Sequence, residues 1–574
     1  MTQELPAGWP AVSLARAHEL LTAPGAPFEM AEEIIRGRRT RIWKNAPPTL
    51  RDVFVMGRAF GDRIFLVHED ERISFETFAR ASIALAHWLQ AQGVKKGDRV
   101  AIVMRNLPEW PVAFFASLLT GAIATPLNGW WTGEELLYGL KDSGAKIVIA
   151  DAERYARIEP NVGDCPAIER VVVTRANAGP AGTLHFEDII GAPMDWARLP
   201  DAPLPDVPLA PDDDASILYT SGTTGNSKGA IQTHRNATCP ILAAQFAAAR
   251  NFIRRGEPIP APDPTIQRAL LLAVPFFHTT GAHAILCPAL ATGAKIVMMR
   301  RFEPVRAMHL IEREKITSAG GVPTIAWQII EHPDREKYDL SSLESVSYGG
   351  APASTELVRR IVEVFPKSAP GIGWGMTETT STFTSNSAED YRNRPESAGP
   401  CIPVCDMKIV DNDGNELPPN TTGELLVRGP DVVRGYWNKP EATANAFDGD
   451  WLKTGDLAKI DEEGFLYIVD RKKDMLIRGG ENIYCIEVEE VLYRHPAVVD
   501  AAVIGLPHRT LGEEPAAVVA AKPGMFVTED ELRAFVGAHL AAFKVPVRIV
   551  VTDEPLPRNA PGKIMKSQLR AFFD

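Results

Sequence analysis

Short apolar runs alternate with longer amphipathic stretches over the first two-thirds of the chain. Arg99-Val-Ala-Ile-Val-Met104 reads as a buried strand, followed by a helix that begins near Pro108. Thr132-Gly-Glu-Glu135 has the spacing of a capping box and predicts a second helix, with Lys146-Ile-Val-Ile-Ala150 as the next strand. Leu270–Val274 and Lys295–Met299 repeat the theme. Trp110 to Leu127 is eighteen residues without a charge, the lower edge of membrane-spanning length. Pro111, Gly121 and Pro126 interrupt it, so a buried helix running into a buried strand is the better account. The alternation predicts an α/β architecture whose sheets are covered by helices on both faces.

Proline and charge punctuate this pattern. Pro193 to Pro211 holds six prolines and reads as an extended connector within one large unit. Asn251 to Arg268, with four prolines and mixed charge, reads as a surface loop. The stronger boundary is Asp470-Arg-Lys-Lys-Asp474. Beyond it a helix near Glu487–Arg494, a strand at Val499–Ile504, a helix at Glu529–Leu540 and a strand at Val547–Val551 are expected, enough for a small domain. The division is 1–472 and 473–574.

The chain has 574 residues, more than one hydrophobic core usually serves. A net charge of −12 disfavours nucleic acid as a partner, so an anionic ligand would need local basic donors. The six cysteines are scattered without paired CxxC spacing, which argues against a disulfide framework or a structural zinc site. The N-terminus shows no basic-then-apolar signal, so the expectation is cytoplasmic. Peripheral membrane contact and a homodimer are left open.

One segment carries most of the chemistry. Tyr219-Thr-Ser-Gly-Thr-Thr-Gly-Asn-Ser-Lys-Gly229 sets three glycines and five Ser/Thr hydroxyls around one lysine, directly after a strand-like run. Glycines let successive N–H groups point inward, and hydroxyls and an ammonium add donors suited to polyphosphate oxygens. Lys228 follows Ser227 and precedes Gly229, so the loop is not of the Gly-Lys-Ser/Thr type. The competing reading is a flexible Gly/Ser/Thr linker. Elsewhere, Gly373-Trp-Gly-Met-Thr-Glu378 pairs an aromatic suited to a purine with a carboxylate suited to a hard cation. Thr454-Gly-Asp456 offers an aspartate in a turn, and Pro557-Arg-Asn-Ala-Pro-Gly-Lys563 places a lysine on a loop near the end of the sequence.

Thr220 to Gly229 resemble the phosphate-binding signature of the acyl-adenylate-forming superfamily, and the later segments match its further motifs in order. The closest look is to medium- and long-chain fatty-acid–CoA ligases. The resemblance implies a large N-terminal domain and a small mobile C-terminal α/β domain. It implies ATP, Mg2+ and CoA as cofactor and co-substrates, and acyl-AMP as intermediate. Carried over residue by residue, Thr220, Ser221, Gly222, Thr223, Thr224, Gly225 and Lys228 would hold phosphates. Gly349, Gly350, Ala351 and Pro352 would face adenine, with Trp374, Gly375, Met376 and Thr377 beside them. Glu378, assisted by Thr220, would bind magnesium, and Asp456 and Arg471 the ribose. Lys473 would be the hinge, Gly479 and Gly480 would approach the CoA arm, and Lys563 would serve catalysis. His278 would wall the carboxylate pocket, with Phe276 and Phe277 shaping the acyl tunnel. Trp374 replaces the family's commoner tyrosine, and Asp470 stands where glycine is usual.

Amino-acid-activating members usually carry an acid beside the pocket aromatic, whereas Pro275–Leu286 holds none. The expectation is therefore a CoA ligase for a non-amino acid, with a medium- or long-chain fatty acid first and an aryl or cinnamate-type acid as the alternative. An inactive nucleotide-binding scaffold is the reading from another class.

Overall fold

A computed structural model describes residues 8–176, 182–220, 226–351, 353–479, 481–522, 524–559 and 562–573. The alternating pattern resolves into two large, mainly parallel sheets. The first runs, in spatial order, Gly229–Thr233, Asp214–Tyr219, Ile123–Pro126, Arg99–Val103, Ile147–Asp151, Arg170–Thr174, Leu184–His185. The second runs Thr384–Ser387, Ala369–Trp374, Ser345–Gly349, Ser318–Gly321, Ala269–Leu272, Lys295–Met298, Ile64–His68, Glu71–Ser74. Helices cover these sheets because their strands are apolar on both sides; all five residues of Ile147–Asp151 are buried, for example.

The uncharged stretch is a wholly buried helix, Glu109–Leu119, leading to the strand Ile123–Pro126. Trp110 stacks on Phe114 (ring centroids 5.1 Å) and on Phe276 (5.1 Å), at the centre of the largest core. Burial of each such ring is worth about 2–3 kcal/mol. Thr132 and Glu135 cap Gly133–Ser143 reciprocally, as their spacing predicts. Among the described residues no helix is long and apolar enough to cross a membrane.

Two of the proline-rich readings are corrected at their starts. Pro193–Arg198 is a 3-10 turn, held by the buried Trp196, whose Nε1 donates to the Gly191 carbonyl (3.0 Å). The helix His234–Arg254 extends through residues 251–254, because Arg254 is buried against Asp390 at 2.7 Å. Loop composition gave no hint of that ion pair.

A third, antiparallel sheet contains Gly399–Pro400, Phe465–Arg471, Trp451–Ile460, Gly423–Arg428 and Asp406–Val410. The last sheet follows after only a few residues: Glu481–Ile483, Leu476–Arg478, Gly512–Ala521 and Val498–His508, with Arg548–Thr552 parallel to Gly512–Ala521. It carries the expected helices, here Cys485–Tyr493 and Glu529–His539, over its own core. Gly512–Ala521 escapes a sequence reading because alanine, four of its ten residues, favours helix over strand.

Candidate active site

Parallel strands of the second sheet end together, and their carboxyl ends open on a cleft of about 2150 Å³ reaching the third and last sheets. Thr220, Lys228, Gly350, Ala351, Trp374, Gly375, Met376, Thr377, Glu378, Asp456, Arg471, Lys473 and Lys563 all line it. Residues spread over more than three hundred positions therefore share one wall system. Glycine is required here for close backbone approach. A Cβ on Gly349 would lie 2.7 Å from the Gly373 carbonyl oxygen, and one on Gly375 would lie 1.7 Å from that of Ser381.

Asp456 is the hub of a small network. Its Oδ2 accepts the indole N–H of Trp374 (2.9 Å), and its Oδ1 pairs with Arg471 Nε (2.7 Å). The Asp456 side chain is 6% exposed, so both oxygens are fixed by protein rather than water. Asp456 does not lie in a turn: it is inside the strand Trp451–Ile460, directly opposite Arg471. Gly455, at φ +71°, kinks that strand, and a kinked strand leaves the same sequence signature as a turn. Trp374 meets Phe383 edge-on, centroids 5.9 Å apart.

Glu378 sits in the 3-10 turn Thr377–Thr379, buried, and its Oε1 accepts the hydroxyl of Tyr436 (2.6 Å). The same Tyr436 ring lies 5.1 Å beneath the Lys228 ammonium. Burial and the Glu378 charge push the Tyr436 phenol well up, so it remains a donor. Sequence reading missed Tyr436. Its segment is recruited by backbone pairing, with Trp437 N–H on the Gly229 carbonyl (2.8 Å) and Ile231 N–H on that of Gly435 (3.0 Å), which no motif announces. Gln232 was missed as well. Its Nε2 donates to the Thr377 carbonyl (3.2 Å), while its Oε1 takes the Ser216 hydroxyl (2.7 Å).

Thr220 N–H donates to the Lys228 carbonyl (2.9 Å), and Lys228 N–H donates to Thr220 Oγ1 (3.3 Å), pinning the two ends of the glycine-rich loop. Ser221, Gly222, Thr223, Thr224 and Gly225 lie outside the described residues, as do Pro352 and Gly480. A buried carboxylate beside a threonine hydroxyl is a hard-oxygen donor set that suits magnesium, which commonly fills its remaining positions with phosphate oxygens and water. No group of three or more acidic, His or Cys ligands occurs among the described residues; Glu378 and Thr220 both line the cleft.

Lys563 lines this cleft, with the N–H of Asn559 on the Lys563 carbonyl (2.9 Å) and the N–H of Lys563 on Asn559 Oδ1 (2.9 Å). A Cβ on Gly350 would lie 3.9 Å from Lys563 Cε. Burial, then Arg471, lowers the ammonium to about 8, with Asp456 and Glu378 opposing. His278 lies close enough for the Lys563 charge to act on it. Burial and that charge hold its imidazole neutral, at about 3, and its Nε2 is buried without a partner among the described residues.

Several expected residues stand apart from the cleft wall. Phe276 is fully buried and stacked on Trp110, its N–H held by Asn106 Oδ1 (2.9 Å). Phe277 is buried against His278, centroids 4.8 Å apart. Gly349 lies behind Gly350 in its strand. Gly479 is exposed on the hairpin between Leu476–Arg478 and Glu481–Ile483, its N–H on the Leu511 carbonyl (2.8 Å). Cys485 is a buried thiol pushed up by burial, in keeping with a packing role.

Residues 55–437 match the AMP-binding enzyme family, and residues 487–563 match the AMP-binding enzyme C-terminal domain. A feruloyl-CoA synthase of Amycolatopsis is 34% identical over 88% of this chain and 95% of its own length. A (methyl-dioxo-octahydro-indenyl)propanoyl:CoA ligase of Rhodococcus jostii is 35% identical over 89% and 96%. Among solved structures, an anthranilate CoA ligase in complex with anthranoyl-AMP superposes with TM-score 0.81 at 27% identity, covering 91% of this chain and 97% of that one. An o-succinylbenzoate CoA synthetase of Bacillus subtilis with ATP and magnesium gives 0.74 at 31%, covering 91% and 99%.

Proposed function

Since this chain belongs to the AMP-binding enzyme family and is an acid–CoA ligase, we propose that it activates an aryl or cinnamate-type acid as its acyl-AMP and passes the acyl group to CoA. The carrying observation is the convergence of Lys563, Glu378 and the Trp374–Asp456–Arg471 network on one cleft. A ring-bearing substrate is supported by the named relatives.

In this reading Asp456 accepts the ribose hydroxyls, Gly350 and Ala351 lie along adenine, and Thr220 and Lys228 face the phosphates. His278 Nε2, neutral and unpaired, borders the carboxylate. The carboxylate oxygen forms a bond to the α-phosphorus as the bond to pyrophosphate breaks. Lys563 offsets the charge gathered there, the main demand of a step joining anions. Glu378 and Thr220 would hold magnesium, which supplies further charge neutralisation on the phosphates. In the second step the CoA thiol, losing its proton, bonds to the acyl carbon and AMP leaves. Lys563 is not needed there, and residues 473–574, turning about Lys473, bring Gly479 and Gly480 toward the CoA arm.

Pyrophosphate release is measured across benzoic, cinnamic, fatty and amino acids, with and without CoA. Aryl or cinnamic acids are expected to give the highest kcat/KM; a preference for fatty acids would overturn the substrate assignment. Silence with every acid would favour an inactive scaffold. Lys563→Ala is expected to abolish adenylation yet spare thioester formation from supplied acyl-AMP.

A further inference from the structure

Two helices that face each other across the joint between the first three sheets and the last one lack caps of their own. Neither Tyr484, before Cys485–Tyr493, nor Ser354, before Thr355–Val364, makes a side-chain cap. The Ser354 hydroxyl is buried without a partner among the described residues. A carboxylate from the opposite side serves each helix instead. Asp470, at the end of the third-sheet strand Phe465–Arg471, accepts the N–H of Cys485 (2.5 Å) and that of Arg471 (2.7 Å). In return Glu490, on the helix Cys485–Tyr493, accepts the N–H (3.2 Å) and the hydroxyl (2.9 Å) of Thr355. Exposed N–H groups and the positive end of the dipole make a helix start a good place for a carboxylate. Here that ordinary local device is split between two parts of the chain.

Their placement connects the joint to the chemistry. Thr355 comes four residues after Ala351 in the cleft wall, and Asp470 immediately precedes Arg471, the partner of Asp456. Lys563 is carried by the same unit as Glu490. Both contacts are made in the arrangement that holds Lys563 in the cleft. Asp470 itself is 1% exposed, so no water replaces a lost partner without the joint opening.

We propose that Asp470 and Glu490 are positioning residues, a reciprocal pair of helix caps that seats Lys563 for acyl-AMP formation and must part before the thiol step. This rests on the two-step reading above. One cap weighs enough to change the seated fraction roughly five-fold, so the pair biases the arrangement without locking it.

The test uses the full-length enzyme with Glu490→Ala, Glu490→Gln, Thr355→Val and the double variant Glu490→Ala/Thr355→Val. Three quantities are read: acid-dependent ATP–pyrophosphate exchange, thioester formation from supplied acyl-AMP and CoA, and tryptic cleavage at the exposed Lys472-Lys473 connection. Glu490→Ala is expected to slow exchange roughly five-fold, leave thioester formation unchanged or faster, and speed cleavage. Glu490→Gln, whose amide oxygen still accepts, should recover part of the loss, and the double variant should be no worse than Glu490→Ala. Equal loss in both half-reactions, additive effects of the two substitutions, or unchanged cleavage would overturn the proposal. Cleavage needs no substrate, so it reports on the caps even where wild-type enzyme forms no acyl-AMP, a result that would instead remove the ligase reading.

Discussion

Replacing Trp374 by phenylalanine isolates one bond of the nucleotide site. The ring is kept in outline, while the indole N–H that reaches Asp456 Oδ2 at 2.9 Å is lost. A hydrogen bond to a charged group is worth about 1.5–3 kcal/mol where water cannot replace the donor. Water is largely excluded on the carboxylate side, since the Asp456 side chain is 6% exposed. The other arm of the carboxylate is weaker than its 2.7 Å length suggests, because Arg471 is 43% exposed and that pair is screened by solvent. Asp456 would then be held by a screened ion pair and by its own N–H on Thr454 Oγ1 (3.1 Å). A loss of about 1.5–2 kcal/mol follows, so AMP should bind roughly 10–30-fold more weakly by titration calorimetry, with the thermal midpoint little changed. In Asp456→Asn the carboxylate charge is gone and Trp374→Phe should cost much less, a double-mutant cycle that assigns the effect to this bond. Affinity within two-fold of wild type for Trp374→Phe, or full additivity with Asp456→Asn, would refute the reasoning.

Three further outcomes are expected. Burial lowers the Lys563 ammonium to about 8, so its charged fraction falls as pH rises through that value; kcat/KM for ATP should fall with it, and Lys563→Arg should move the falling limb upward. Gly375→Ala would set a Cβ 1.7 Å from the Ser381 carbonyl oxygen, and its urea midpoint should drop by the equivalent of about 2 kcal/mol or more. Arg254→Ala strands the buried Asp390 carboxylate and should cost about 3–5 kcal/mol in denaturant unfolding, with kinetic constants of the surviving enzyme unchanged.

The sequence by itself determined the α/β class, the buried helix after Pro108, the capping box at Thr132 and many of the residues that line the cleft. Each of these depends on near neighbours in the chain: periodicity, a cap three residues away, or a run of glycines beside a lysine. It also named Glu378, Asp456 and Lys563 individually, through motifs that resemble a known superfamily. What only the tertiary structure decided involves partners far apart in sequence. Tyr436 enters the site because its backbone pairs beside Gly229–Thr233, and Phe276 is stacked in the core on Trp110, more than 160 positions earlier. Asp456 proved to be a strand residue because Gly455 can bend a strand as readily as it can end one. Asp470 looked like a departure from pattern until the helix it caps was in view. Hydrogen bonds and ring contacts act over a few ångströms of space whatever the separation along the chain, so no local pattern in the residues records them.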